Sequence, residues 1–274
     1  MRTRVAAAVS RQAFLLLVCV GSLYPIWFMV STALKHNQDY VLDPTGFPSH
    51  ATFHNVWVAL HDLPVPHWLL NSVIVTVSSV AIATLIAMLG AYAIVFGEFV
   101  GRELLLKVNV VLMVIPPVVL LVPMFVLMVD AGWINSLRSV IVFYCGLLIP
   151  FSVFFLVNFF RTVPGELVEA AVVDGASPFR VLRLIVTPLS AAAIFTLMVV
   201  NAIYVWNELL IALVFLQDEN KRTLMAGLTL FQGRYNTNQP LILAGAFVSI
   251  LPVILLYLSG QRFFVRGLTA GIGK

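Results

Sequence analysis

Residues 161–190 read RTVPGELVEAAVVDGASPFRVLRLIVTPLS, a polar-bearing run between two strongly apolar stretches. Its helix punctuation is clear. Pro164 stands where a first helical turn begins, and Glu166 and Glu169 lie near the positive end of that helix's dipole. Gly175 supplies the stop, because glycine accepts the left-handed backbone a helix end often needs. Ser177 and Pro178 restart a second helix as N-cap and first residue, and Pro188 limits it. The reading is a short helix, a glycine turn and a second helix between membrane spans. The first helix shows Leu167, Val168, Ala170, Ala171, Val172 and Val173 on a segment that meets water. That surface calls for a cover.

Composition sets the class. Of 274 residues, 61% are hydrophobic and 10% charged, and the mean hydropathy is +1.02, which excludes a soluble domain. Spans of about 20 apolar residues are therefore the units to count. Six are expected, near residues 13–34, 69–96, 108–129, 140–160, 189–216 and 240–260. With the N-terminus inside, the inner segments collect Arg2, Arg4, Arg11, Arg102, Lys107, Arg161, Arg180, Arg183, Arg262, Arg266 and Lys274. The outer segments hold only Lys35, Arg138, Lys221, Arg222 and Arg234. This asymmetry satisfies the positive-inside rule with both termini in the cytoplasm. The same topology explains the net charge of +4, so no nucleic-acid partner is implied. The first span is too long for a signal-peptide core and is kept. Cys19 and Cys145 fall inside spans and read as small apolar residues.

Polar residues inside spans are the candidate functional groups. Trp206-Asn207-Glu208 and Asn201 sit within the fifth span, where a carboxylate facing lipid costs at least a few kcal/mol. Two readings stand: a polar lining of a translocation route, or an interhelical hydrogen bond or snorkelling carboxylate. Pro116, Pro117 and Pro123 free backbone carbonyls in the third span, which reads either as a kinked helix facing a pathway or as simple packing irregularity. Trp57 and Trp68 read as interface anchors. A short amphipathic helix is expected at 223–231, followed by a polar loop holding Gly233, Arg234, Tyr235 and Asn236. Amides, hydroxyls and aromatics suit a polyhydroxy ligand, and equally a solvated turn.

No enzymatic pattern stands out. The chain has no phosphate-cradling P-loop and no nucleophile elbow. Its histidines (His36, His50, His54, His61 and His67) all fall in one outer loop with little acidic support, which reads as a solvated loop with no metal site. The lack of a clear internal repeat weakens an inverted-repeat secondary transporter.

Glu169-Ala170-Ala171, then Gly175 after three residues, then Ile185-x-x-Pro188 after nine more, resembles the EAA loop of ABC-importer permeases. Thr187 stands where that pattern has Leu, which softens one packing position. Residues 89–106 (LGAYAIVFGEFVGRELLL), Trp206-Asn207-Glu208 and the tail QRFFVRGLTAGIGK (261–274) resemble the carbohydrate branch, the MalG-like permeases. The resemblance covers essentially the whole chain. It implies an all-α integral membrane protein of the type I importer permease fold: one domain over 1–274, a core at about 68–260, a cytoplasmic coupling loop at 161–190 and a cytoplasmic tail at 261–274. Glu169, Ala170, Ala171, Asp174 and Gly175 would then dock on a separate ATPase, with Glu169 facing a basic residue and the two alanines permitting close approach. The tail would reach the ATPase dimer through an extended contact.

The resemblance implies a non-enzymatic transport subunit that imports a sugar across a prokaryotic cell membrane by alternating access. Its implied partners are a second, MalF-like permease subunit, two ATP-binding subunits, an extracellular sugar-binding protein and membrane lipids. ATP and Mg would be held by the ATPase and no cofactor by this chain. Residues 233–236 become candidates for contact with the binding protein or substrate, and Asn201, Asn207 and Glu208 for the path. A glycerophosphate or polyol substrate, and an ion-coupled carrier using Glu208, are the alternatives.

Overall fold

A computed structural model describes the backbone of residues 2–234 and 238–270, and the side chains of 10–230, 238–255 and 258. Its regular structure is wholly helical over these residues. The chain packs as two units, one of Met1–Pro66 with Gly227–Leu251 and the other of His67–Ala226 with Pro252–Lys274.

In the first unit α1 (Arg2–Ala33) is a long apolar helix. Residues 10–24 along it are exposed, with Phe14, Leu17 and Val20 each about two-thirds so. Two short helices follow, α2 (Asn37–Leu42) and α3 (His54–His61). Lys35 holds this region together although it is almost fully buried: its Nζ donates to the carbonyls of Asp43 (2.7 Å) and Pro44 (3.2 Å). Asn55 Nδ2 donates to the Ala33 and Lys35 carbonyls at 2.9 and 2.8 Å, which satisfies the end of α1. Asn55→Ala leaves those carbonyls without their partner and should cost about 1–3 kcal/mol. The expected result is faster proteolytic cutting within 37–53; cutting at the wild-type rate would show that the amide does not hold the loop.

In the second unit α7 (Leu137–Phe160) is the central element. It packs against α4 (Val65–Phe96) through Ala83, Ala87 and Ala91, a small-residue stripe at four-residue spacing that lets the backbones approach. Trp68 is buried rather than interfacial, with Nε1 donating to the Glu219 carbonyl at 2.6 Å. Asn71 donates to the Asn220 and Arg222 carbonyls, and Ser72 Oγ accepts from Leu224 N, so the start of α4 clamps the 219–224 turn.

The expected third span is two helices, α5 (Arg102–Leu112) and α6 (Pro117–Asp130), bent by 97°. Successive Pro116 and Pro117 explain the break: neither has an N–H, and each pushes the residue before it out of the helical region. After α8 (Gly165–Val173), helix resumes as α9 (Pro178–Val181), a π turn (Leu182–Val186) and α10 (Thr187–Leu189). Pro188 cannot donate to the Leu184 carbonyl, and the i→i+5 turn lies at that point. A bend of 82° then leads into α11 (Ala191–Asn207).

The expected fifth span also differs from one continuous helix. It stops at Asn207, Glu208 is extended (ψ 127°), and α12 (Leu210–Phe215) restarts it. The carboxylate draws the backbone out of the helix, because it accepts N–H groups of the following turn. Helix α13 (Leu224–Arg234) takes in Gly233 and Arg234, which were expected in a loop, while Tyr235 and Asn236 lie outside the described residues. Helix α14 (Gln239–Ala270) continues into the tail, so residues 261–270 are helical rather than extended. Three described helices are long and apolar enough to cross a membrane, or five if each bent pair is one span; the apolar stretch Gln239–Leu255 is a shorter addition.

Candidate functional sites: an exposed hairpin and a cavity at the helix breaks

The hairpin at 161–190 is built from its ends inward. Val163 and Val168 are buried and join Leu156, Val157 and Phe160 of α7, together with Val181 and Leu182, in one apolar cluster. That anchors one side of α8. The other side stays open: Leu167, Val172 and Val173 are exposed, as are Glu169, Ala170 and Asp174, while Ala171 is half-buried. Helix α8 ends in a paired cap, Ala176 N donating to Ala171 O (2.9 Å) and Gly175 N to Val172 O (3.0 Å). Gly175 has φ +79°, and a Cβ there would meet nothing within 4 Å, so only its backbone requires glycine. The five hairpin candidates therefore share one short helix and its turn.

The three candidates on α11 part company. Asn201 is buried and its Nδ2 donates to Ser152 Oγ at 2.9 Å; Ser152 in turn donates to the Leu148 carbonyl. Asn207 is exposed and donates to Ile203 O of its own helix. Glu208 is half-buried and fully engaged. Oε2 accepts from the Tyr144 hydroxyl (2.6 Å) and Ile211 N (3.0 Å), and Oε1 accepts from Leu210 N (2.9 Å). Of the two sequence readings of Glu208, this geometry is the interhelical hydrogen bond, with a helix cap added. Tyr144 and Ser152 are eight residues apart on α7 and so on one face, and that face meets both polar groups of α11. Sequence reasoning missed both. The available signal was a Tyr and a Ser at two-turn spacing in an apolar span.

Beside Asn201 lies a cavity of about 450 Å³ at the α5–α6 break, lined by α7 through Gly146, Pro150 and Phe151 and by Tyr204 of α11. Asn109 of α5 crosses to α7, donating to the Pro150 carbonyl at 2.7 Å. No group of three or more His, Cys, Asp or Glu placed to hold a metal occurs among the described residues.

The family described as binding-protein-dependent transport system inner membrane component matches residues 83–269, which include both the hairpin and the cavity. The chain belongs to this family. Two relatives match it nearly end to end. The sulfoquinovosyl glycerol transport system permease protein SmoH of Agrobacterium fabrum is 35% identical over 93% of this chain and 90% of its own. The trehalose/maltose transport system permease protein MalG of Thermococcus litoralis is 32% identical over 94% of each chain. A chain from the crystal structure of a bacterial ABC transporter involved in import of the acidic polysaccharide alginate shares the fold, with a TM-score of 0.81 at 24% identity over 96% of this chain and 98% of that one. This binding-protein-dependent permease is thus an inner-membrane, multi-pass protein with the all-helical fold of an ABC-importer transport subunit.

Proposed function

We propose that the chain is one of two permease subunits of an ATP-driven importer that moves a saccharide from an extracellular binding protein into the cytoplasm by alternating access. The observation that carries this reading is the family match over 83–269, with sugar-transport permeases among the full-length relatives. In this reading the chain spans the membrane six times with both termini inside, α14 being the last span. The EAA-like hairpin then faces the cytoplasm. Its open face, with Glu169, Ala170, Asp174 and the Gly175 turn, docks on an ATPase subunit that holds ATP and Mg, while Val163 and Val168 pass the ATPase motion to α7. One hairpin serves one of two ATPases, so a second, MalF-like permease completes the complex. Transport is then a coupling free energy between the outer and inner faces. Gly233, Arg234, Tyr235 and Asn236 are in this reading the candidates for contact with the binding protein or substrate.

An ion-coupled carrier using Glu208 is disfavoured, because that carboxylate is committed to Tyr144 and α12. The deciding experiment isolates the chain from its own membranes and follows sugar uptake by the same cells. Co-isolation of an ATPase, and uptake that stops when ATP is depleted with the ion gradients maintained, are expected. Uptake that persists without ATP would overturn the reading.

A further inference from the structure

The loop after α1 turns back along the helix it has just left. Lys35 Nζ, just past the helix end, holds the Asp43 and Pro44 carbonyls. One turn below, Ser31 Oγ donates to the Gly46 carbonyl at 3.3 Å. A further turn below, the Trp27 and Phe47 rings meet edge-on, with centroids 5.3 Å apart. The chain then climbs back, Thr52 N donating to the Leu34 carbonyl at 2.8 Å. Residues 43–52 are thus a finger folded down against α1, with Phe47 at its tip.

The depth of that tip follows from α1. A hydrocarbon core of about 30 Å takes about 20 residues of helix, and from the charge of Arg11 that length reaches Ser31. Trp27 and the ring of Phe47 then sit about 6 Å inside the hydrocarbon edge. The lipid-facing surface of α1 leads into them: Phe14, Leu17, Val20 and Tyr24 are each more than half exposed, and Phe47 is 80% exposed although it rests on Trp27. A loop at this depth must bring its own hydrogen-bond partners, because hydrocarbon offers none. Pro44 and Pro48 have no N–H, the Asp43 N–H goes to the Asp39 carbonyl, and the Gly46 N–H goes to Asp43 Oδ1 at 2.9 Å. The carbonyls of Asp43, Pro44 and Gly46 are the ones taken by Lys35 and Ser31. Gly46 is required by this turn, since a Cβ there would run into the Asp43 carboxylate. Residues 44–49 (PTGFPS) carry no charge. We infer that residues 43–52 form an interfacial anchor whose partner is the lipid surface, seating Phe47 among the upper acyl chains on the side where α1 ends. A soluble protein partner fits less well, because it would have to reach Phe47 below the headgroups. The anchor needs only that the chain resides in the membrane, whatever its cargo.

The test uses the protein isolated with its accompanying subunits and returned to vesicles of phosphatidylethanolamine and phosphatidylglycerol. Phe47→Cys and, as the aqueous control, Asp62→Cys are each made together with Cys19→Ala and Cys145→Ala and labelled with bimane. Both positions are exposed, so neither change disturbs the core. The emission at 47 should be shifted to the blue of that at 62. It should be lost to a phospholipid bearing a nitroxide on its upper acyl chain and unmoved by iodide supplied on both faces of the bilayer. At 62 the iodide should quench and the lipid should not. To exclude a label that draws itself into lipid, the wild-type protein is photolysed with a phospholipid carrying an acyl-chain diazirine. Adducts should map to Phe47 as well as to the exposed residues of α1. Iodide quenching at 47 as strong as at 62 would overturn the anchor by placing the finger in water. Emission that neither quencher reaches would overturn it by showing a protein over Phe47, and so would adducts on α1 with none within 43–52.

Discussion

A chain carrying Glu169→Ala together with Gly175→Val should insert in the membrane at near-normal levels and transport nothing, while ATP hydrolysis by the assembled complex no longer follows substrate. The two substitutions act differently. Glu169 is exposed and makes no packing contribution, so its loss changes stability by about half a kcal/mol or less. Gly175 has φ +79°, where an L-residue is strained by roughly 1–2 kcal/mol, and a β-branched one by more. A Cβ there meets nothing within 4 Å, so the strain acts on the turn and leaves the core packing alone. The expected consequence is an altered angle between α8 and α9 and an open face that no longer fits its cover. Gly175→Ala is the graded control and should retain partial transport. Uptake and ATP hydrolysis are measured on the same preparation. Normal transport by the double variant would remove the coupling role from this hairpin.

The hairpin was legible because its signals are local. A proline, a Gly at the stop and a Ser-Pro restart each act on their own backbone, and the cap bonds from Gly175 and Ala176 follow from that chain geometry. The long spans were legible for the same reason, since hydropathy needs no partner. The breaks were only half legible. Pro116-Pro117 announces a kink, but its 97° angle depends on how α5 packs against α7. Glu208 gave a polar group inside an apolar run, yet its bond to Tyr144, 64 residues away, could not be read from that run. The expected loop at Gly233 and Arg234 failed at its start, because α13 runs on to Arg234, past the expected helix end at 231. Trp68 was misplaced since an indole at a span end suits the interface equally well; only the Glu219 carbonyl shows that its N–H is used inside the fold.

Glu208→Ala should be the most destabilising single change among the candidate residues. It strands the hydroxyl of Tyr144, which has no exposed surface, and uncaps the first turn of α12 at Leu210 and Ile211. Hydrogen bonds to a carboxylate are worth about 1.5–3 kcal/mol each, and a stranded buried donor adds its own desolvation, so a loss of roughly 3–5 kcal/mol is expected. That corresponds to a fall of about 10 °C in the melting temperature of the purified protein. Tyr144→Phe removes donor and demand together and should cost about 1 kcal/mol. Adding it to Glu208→Ala should restore part of the loss, because the stranded hydroxyl is then gone. Glu208→Gln keeps one acceptor oxygen, which serves either Tyr144 or the α12 cap, and should fall between. The double-variant comparison separates this structural role from a proton site. A structural Glu208 predicts that stability and transport fall together and recover together. A proton-carrying Glu208 predicts a stable Glu208→Gln protein with no uptake, and that result would return the residue to the translocation path.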